Sequence, residues 1–221
     1  MHELQKFISG FLKFQENYFG EDGLFERLKL HEGQHPTTLL IGCCDSRVDP
    51  ALLTGCDPGD LFVVRNVANL VPTCTPDAPP GVSSAIEFAV CGLEVERVIV
   101  LGHARCGGIR ALLQGQVVAP DTDFLGRWMR FAAPAKAKVQ RELAHRPEAD
   151  QQRACELASI LLSLDNLLSY PWIRTRVEAG RLTLHGWYFD IEAGALLAYS
   201  PRRQEFLPLV CPLDPAARAP R

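Results

Sequence analysis

Leu4, Phe7, Ile8, Phe11 and Leu12 recur at the three- and four-residue spacing of a helix, and Phe14, Tyr18 and Phe19 continue the stripe. Apolar positions at that period give an amphipathic α-helix, here at the N-terminus. A second short helix is predicted over residues 24–30. So much apolar surface on a terminal arm calls for a partner surface, on its own subunit or on a neighbour's. The pattern then changes. Thr38-Leu39-Leu40-Ile41-Gly42 is a short apolar run, and so is Asp60-Leu61-Phe62-Val63-Val64-Arg65, with the turn signal Asp57-Pro58-Gly59 between them. Residues 81–93 read as a helix with Ala85, Phe88 and Ala89 on its buried stripe. Arg97-Val98-Ile99-Val100-Leu101-Gly102 reads as a fully buried strand, and residues 108–113 as the start of another helix.

Continuous β-branched runs alternating with helices imply βαβ units. The fold class expected is therefore α/β, a mostly parallel central sheet flanked by helices. Residues 123–180 are predicted mostly helical, with Pro134, Pro147 and Pro171 at boundaries. Residues 182–191 and 195–200 return to strand character. No internal repeat and no linker appears, so one domain is expected. It divides into a helical arm over residues 1–35, a core over 36–200 and a Pro- and Arg-rich surface tail over 201–221.

Composition narrows the function. The chain has 221 residues and a net charge of −3, with no basic excess to draw nucleic acid or anionic lipid. No apolar run reaches the roughly 18–20 residues of a membrane span. The first residues carry Glu3, Lys6, Lys13 and Glu16 and do not read as a secretory signal. Eight cysteines in such a chain point to reduced thiols in a cytoplasmic setting, some of them free for metal or chemistry.

His31-Glu32-Gly33-Gln34-His35 matches the H-E-x-x-H signature of zinc proteases. That motif needs a helix to bring its two histidines to one face. Gly33 weakens a helix, and Pro36 pushes His35 out of the α region. A surface turn is expected instead. Gly-rich dinucleotide and P-loop fingerprints are missing.

Two other segments carry chemistry. Gly42-Cys43-Cys44-Asp45-Ser46-Arg47 follows the first strand, where parallel-sheet proteins place ligands. Extended backbone would put Cys43, Asp45 and Arg47 on one side. Asp and Arg can pair through two hydrogen bonds, and a purely structural pair with two buried thiols is an equal alternative from this segment alone. His103-Ala104-Arg105-Cys106-Gly107-Gly108 follows the buried strand and opens a helix. If strands 37–43 and 97–102 are neighbours, Cys43, His103 and Cys106 converge. Two thiolates and an imidazole form a soft set suited to Zn²⁺, with a fourth position open, as in catalytic zinc sites.

The motif C-x-D-x-R at 43–47, followed by H-x-x-C at 103–106, resembles the β-class carbonic anhydrases. Pro58-Gly59-Asp60-Leu61-Phe62-Val63-Val64-Arg65-Asn66-Val67-Ala68-Asn69 and His185-Gly186-Trp187 strengthen the resemblance. Gly81-Val82-Ser83 to Ala89 and Asp190-Ile191-Glu192 look like the plant and cyanobacterial-type branch. The resemblance implies a zinc lyase that hydrates CO₂ to bicarbonate and a proton. It implies zinc on Cys43, His103 and Cys106, and a catalytic dyad of Asp45 and Arg47, with Asp45 becoming a fourth ligand in a closed form. It also implies a homodimer or higher oligomer whose arm wraps a partner, and substrate contacts from Gln34, Phe62, Val67, Phe88 and the main chain of Gly107. That branch often has Tyr at position 88, so a hydroxyl is missing here. One bacterial branch carries a regulatory bicarbonate site built from Trp, Arg and Tyr. The matching positions are Leu40, Arg65 and Phe189, so only the Arg survives. Two alternatives remain at this stage: a carbonyl sulfide or carbon disulfide hydrolase on the same scaffold, and a non-catalytic zinc-binding assembly protein.

Overall fold

A computed structural model describes residues 2–19, 23, 33–119 and 121–211. The predicted helix over 24–30 lies outside them. The amphipathic arm is a helix, α1 (His2–Tyr18). Its apolar stripe is open in the single chain, with Leu4, Phe7, Ile8 and Phe11 each at least 60% exposed.

The core is a six-stranded sheet in the order β2-β1-β3-β4-β5-β6. Its strands are β1 (Thr38–Cys43), β2 (Leu61–Asn66), β3 (Arg97–His103), β4 (Thr183–Asp190), β5 (Ala195–Ser200) and β6 (Glu205–Val210). The first four strands in that order run parallel, and β5 and β6 add antiparallel pairings. The sheet is thus mixed, as tight turns at 191–194 and 201–204 allow only antiparallel neighbours. The expected surface tail is corrected here: up to Val210 it forms the edge strand β6, because Phe206 packs on Tyr199 of β5, with ring centroids 5.4 Å apart.

β1 and β3 are buried along nearly their whole length, as strands covered on both faces must be. Short α2 (Pro50–Thr54) starts on an Asp49 cap, whose side chain accepts the Leu52 N–H at 3.0 Å. The other helices are α3 (Pro80–Glu87), α4 (Gly107–Gln114), α5 (Phe124–Met129), α6 (Ala133–Leu143), α7 (Glu148–Leu167) and α8 (Pro171–Glu178). Pro134, Pro147 and Pro171 all stand at helix starts, where a missing N–H is harmless. α3 runs on into one π-turn, Phe88–Gly92. The extra residue per turn rotates the helical face. Phe88, expected on the buried stripe, is 51% exposed, because the packed face is that of Ile86, Ala89 and Val90.

α7 lies close over β3 and β4. Two glycines make that approach possible. A Cβ at Gly102 would stand 2.7 Å from Ile160 Cδ1, and one at Gly186 would stand 2.9 Å from Ile160 Cγ2. Ile160 is fully buried, so it has no room to retreat. Gly102→Ala should therefore destabilise the fold by about 1–3 kcal/mol, the ordinary cost of overpacking. Urea unfolding measures it, and a midpoint equal to the parent's would show that α7 yields.

Candidate metal centre

β1 and β3 are adjacent and parallel, with Gly42 opposite Leu101. Their C-terminal ends therefore deliver Cys43 and His103 to the same edge of the sheet. The chain leaves β3 through Ala104 and Arg105 and enters α4 at Cys106. The ligand-type atoms of Cys43, His103 and Cys106 lie within 4.8 Å of one another, and all three residues are buried. The two sulfurs are 4.0 Å apart.

The charge state of the pair is a problem for the bare protein. Hydrogen bonding from Cys106 pulls the Cys43 thiol well below its ordinary value, against the opposing effect of burial. The same contact, together with burial, pushes Cys106 up. Burial works against a charged His103, but its contact with the Cys43 sulfur raises it on balance.

The residues fit a zinc ion. His103 Nδ1 lies 2.9 Å from the Ala104 carbonyl, which fixes the proton on Nδ1 and turns Nε2 inward. Nε2 is buried and, among the described residues, has no hydrogen-bond partner. A buried acceptor left without a donor is expensive unless a metal takes its lone pair. Tetrahedral zinc with Zn–S near 2.3 Å sets its sulfurs about 3.8 Å apart, close to the separation observed. A dication also supplies the charge that lets both thiols ionise.

Asp45 and Arg47 converge as expected, but not by alternation along an extended strand. The chain turns at 45–48, closed by Val48 N–H to the Asp45 carbonyl at 3.0 Å. Asp45 Oδ1 accepts from Arg47 N–H at 3.0 Å and from Arg47 Nε at 2.9 Å. Its Oδ2 accepts from Arg47 Nη2 at 2.7 Å and lies 3.9 Å from His103 Nε2. This fork keeps the Asp45 carboxyl well below the usual carboxylate range, despite partial burial. Arg47 also reaches the Arg105 carbonyl at 3.2 Å, which ties the two ligand loops together.

Further residues shape the surrounding backbone. Ala68 and Asn69 both adopt left-handed conformations, with φ of 65° and 49°. This bend brings the Ala68 N–H to the Cys43 sulfur. Gly108 leaves room for it, since a Cβ there would stand 2.6 Å from Val67 Cγ1. Arg65 donates to the Cys43 and Asp45 carbonyls at 2.9 and 2.8 Å. Glu156 accepts the Cys106 N–H at 2.9 Å. No spacing in the sequence could have linked a glutamate fifty residues downstream to Cys106.

The expected substrate residues are placed unevenly. Val67 packs against the apolar cluster that contains Cys43 and Cys106. Half-buried Phe62 stacks near Phe88, ring centroids 5.9 Å apart. Gly107 borders open space next to Cys106. Gln34 is exposed in the segment before β1, beyond the end of that strand opposite Cys43. His185 is exposed on β4, bonded to Thr183 Oγ1 at 3.0 Å, and is neither core nor ligand. His35, of the false protease motif, precedes β1 in coil. His31 lies outside the described residues.

A mixed-sheet α/β subunit with a Cys₂His cluster at the ends of its parallel strands, flanked by an Asp–Arg fork, defines a class of zinc enzyme. Residues 38–196 match the family described as carbonic anhydrase, and the chain belongs to that family. It is 38% identical to a carbonic anhydrase of Synechocystis over 92% of this chain and 74% of that protein. It is 42% identical to the mitochondrial β-carbonic anhydrase 6 of Arabidopsis thaliana, over 82% of this chain and 62% of that protein. The structure of the β-carbonic anhydrase CcaA superposes with a TM-score of 0.87 at 37% identity, covering 93% of this chain and 99% of that one. A tetrameric β-carbonic anhydrase of the ascomycete Sordaria macrospora gives a TM-score of 0.75 at 26% identity, covering 96% and 98%. The family is one of zinc lyases that interconvert CO₂ and bicarbonate. Among the described residues no helix is long and apolar enough to cross a membrane.

The positions matching the regulatory bicarbonate site of one bacterial branch offer little to an anion. Leu40 is fully buried in an apolar cluster with Val48 and Leu101, and Phe189 packs against it. Arg65 has its donors on carbonyls and on Asp49. An oxyanion there would be unpaired, at a cost of about several kcal/mol. CO₂ hydration should therefore rise with pH at a slope near one per decade, the signature of one essential ionisation. A slope near two with bicarbonate inhibition at low pH would show that another anchor exists.

Proposed function

We propose that this chain holds one zinc per subunit on Cys43, His103 and Cys106 and hydrates CO₂ at that centre, with Asp45 and Arg47 as its catalytic pair. The observation that carries this reading is the inward-facing, unpartnered Nε2 of His103 between two buried sulfurs and an ionised carboxylate. When bound, zinc supplies the Lewis acidity that makes water a nucleophile near neutral pH. The chain's residues do the rest. An ionised carboxylate only accepts hydrogen bonds, so Asp45 orients a water or hydroxyl donor at the mouth of the cluster. Arg47 keeps Asp45 ionised and, by occupying both its oxygens, supports a form in which Asp45 stays off the metal. Val67, Phe62 and Phe88 supply apolar surface for an uncharged substrate, beside the Gly107 main chain.

Replacing Asp45 by Asn keeps the size of the side chain and removes its charge. Zinc content should stay at the parent's level while CO₂ hydration falls about 10²–10⁴-fold, the usual loss for one positioned group. Stopped-flow hydration with metal analysis on the same sample decides this. Unchanged turnover would make Asp45 structural.

The assembly we propose is a homodimer or a higher oligomer built from dimers, in the cytoplasm. The exposed stripe of α1 supports it, because a helix face this apolar is unstable against water. Gln34 completes a substrate pocket on this reading from a neighbouring subunit. Removing residues 1–20 should leave aggregate or inactive monomer, as read by light scattering and hydration assay. A fully active soluble monomer would refute the arm's role.

A further inference from the structure

Behind the metal cluster sits a carboxyl group that this chemistry does not use. Glu156, on α7, is 3% exposed. A buried carboxylate is costly unless its lone pairs are taken. Here they are. Oε1 accepts from the Cys106 backbone N–H and from Gln152 Nε2, each at 2.9 Å. Oε2 accepts from the Tyr188 hydroxyl at 2.8 Å. Gln152 also donates to the Cys106 carbonyl at 3.3 Å, so α7 grips this residue's main chain at both ends.

The gripped segment needs it. Between His103 and Cys106 the chain passes through Arg105 at φ 56°, a left-handed conformation in a non-glycine residue. Such a conformation is strained and persists only when its surroundings hold it. Cys106 then opens α4 without any side-chain cap. Tyr188, which anchors the far oxygen, is itself fully buried, with the Arg153 guanidinium 5.1 Å over its ring. Arg153 in turn pairs with Asp190 at 2.7 Å. The carboxyl group is thus fixed on one side by β4 and spends its other oxygen on the main chain of a ligand cysteine.

We infer that Glu156 is a positioning residue for the metal centre: its Oε1 fixes the Cys106 amide and so sets the sulfur where zinc is taken up. The inference rests on the ligand assignment proposed above. Its readout is metal affinity, measured by competition between the intact protein and a chromophoric zinc chelator. The visible spectrum of the cobalt(II)-substituted protein reports the cysteine–metal geometry independently.

Glu156→Ala should weaken zinc binding about 10–100-fold, the usual effect of losing a partner behind a metal ligand. It should also alter the cobalt–thiolate bands. Glu156→Gln should restore affinity close to the parent's, because its amide oxygen still accepts the Cys106 N–H and its NH₂ can donate to Tyr188. That rescue separates the hydrogen bond from the charge. If Glu156→Ala does not fold, Glu156→Asp carries the test: it keeps the charge, draws the oxygen back by one methylene, and should weaken zinc as Ala would. Parent-like affinity in Glu156→Ala or Glu156→Asp overturns the inference, as does a Glu156→Gln variant no better than Ala. A parent protein that takes up no zinc, or a Cys106→Ser variant that holds it fully, overturns the ligand assignment instead.

Discussion

Two sulfurs 4.0 Å apart in a buried site cannot both carry a negative charge without a cation. Much of the surrounding architecture answers that constraint. The parallel pairing of β1 and β3 brings Cys43 and His103 to the same end of the sheet, and the turn out of β3 adds Cys106. The imidazole is locked in one tautomer by the Ala104 carbonyl, so its free nitrogen has only the interior to face. A metal dication resolves the two charges and the orphaned nitrogen together. Hydrogen bonds alone could not: the Asp45 and Ala68 amides reach Cys43 and the Gly108 and Ile109 amides reach Cys106, but amides bring no net positive charge to two thiolates.

Around this centre the backbone departs from its easy conformations. Ala68, Asn69 and Arg105 are left-handed without being glycine. Each is held by something larger than itself. Ser163, on α7, donates to the Asn69 carbonyl, and Trp128 donates to the Val67 carbonyl. Arg47 donates to the Arg105 carbonyl. The strain therefore rests on long-range contacts, which is why the site exists only once α7 has packed on the sheet. Gly102 and Gly186 are what let α7 come that close.

The surface carries a second constraint. The stripe on α1 and the half-covered aromatic residues Trp187 and Phe189 are apolar surface that a single chain leaves open. A subunit built this way gains by association, and in the assembly proposed above the segment holding Gln34 would meet another subunit's strand ends. A zinc enzyme acting on a small uncharged gas needs little recognition chemistry, so its pocket can be assembled from whatever apolar surface the interface brings.

Much of this was legible in the residues. The helical period gave α1, continuous apolar runs gave the buried strands, and soft ligands at the ends of two β-branched runs gave Cys43, His103 and Cys106. These are local signals: a period of about 3.6, an unbroken apolar run, and a donor set whose chemistry admits few metals. The pairing of Asp45 with Arg47 was legible too, although a turn rather than an extended strand makes it. Other features were not. Phe88 reads as buried, yet the face that meets the core is that of Ile86, Ala89 and Val90. Residues 205–210 read as a tail until β5 offers them an edge. Nothing in the residues around Glu156 marks it, and only the closure of α7 against β3 shows that it faces Cys106. Residue type and spacing determine which groups have the chemistry for a site. Which distant groups complete it is decided by tertiary packing, because burial and hydrogen-bond partnership belong to the folded neighbourhood and leave no period along the chain.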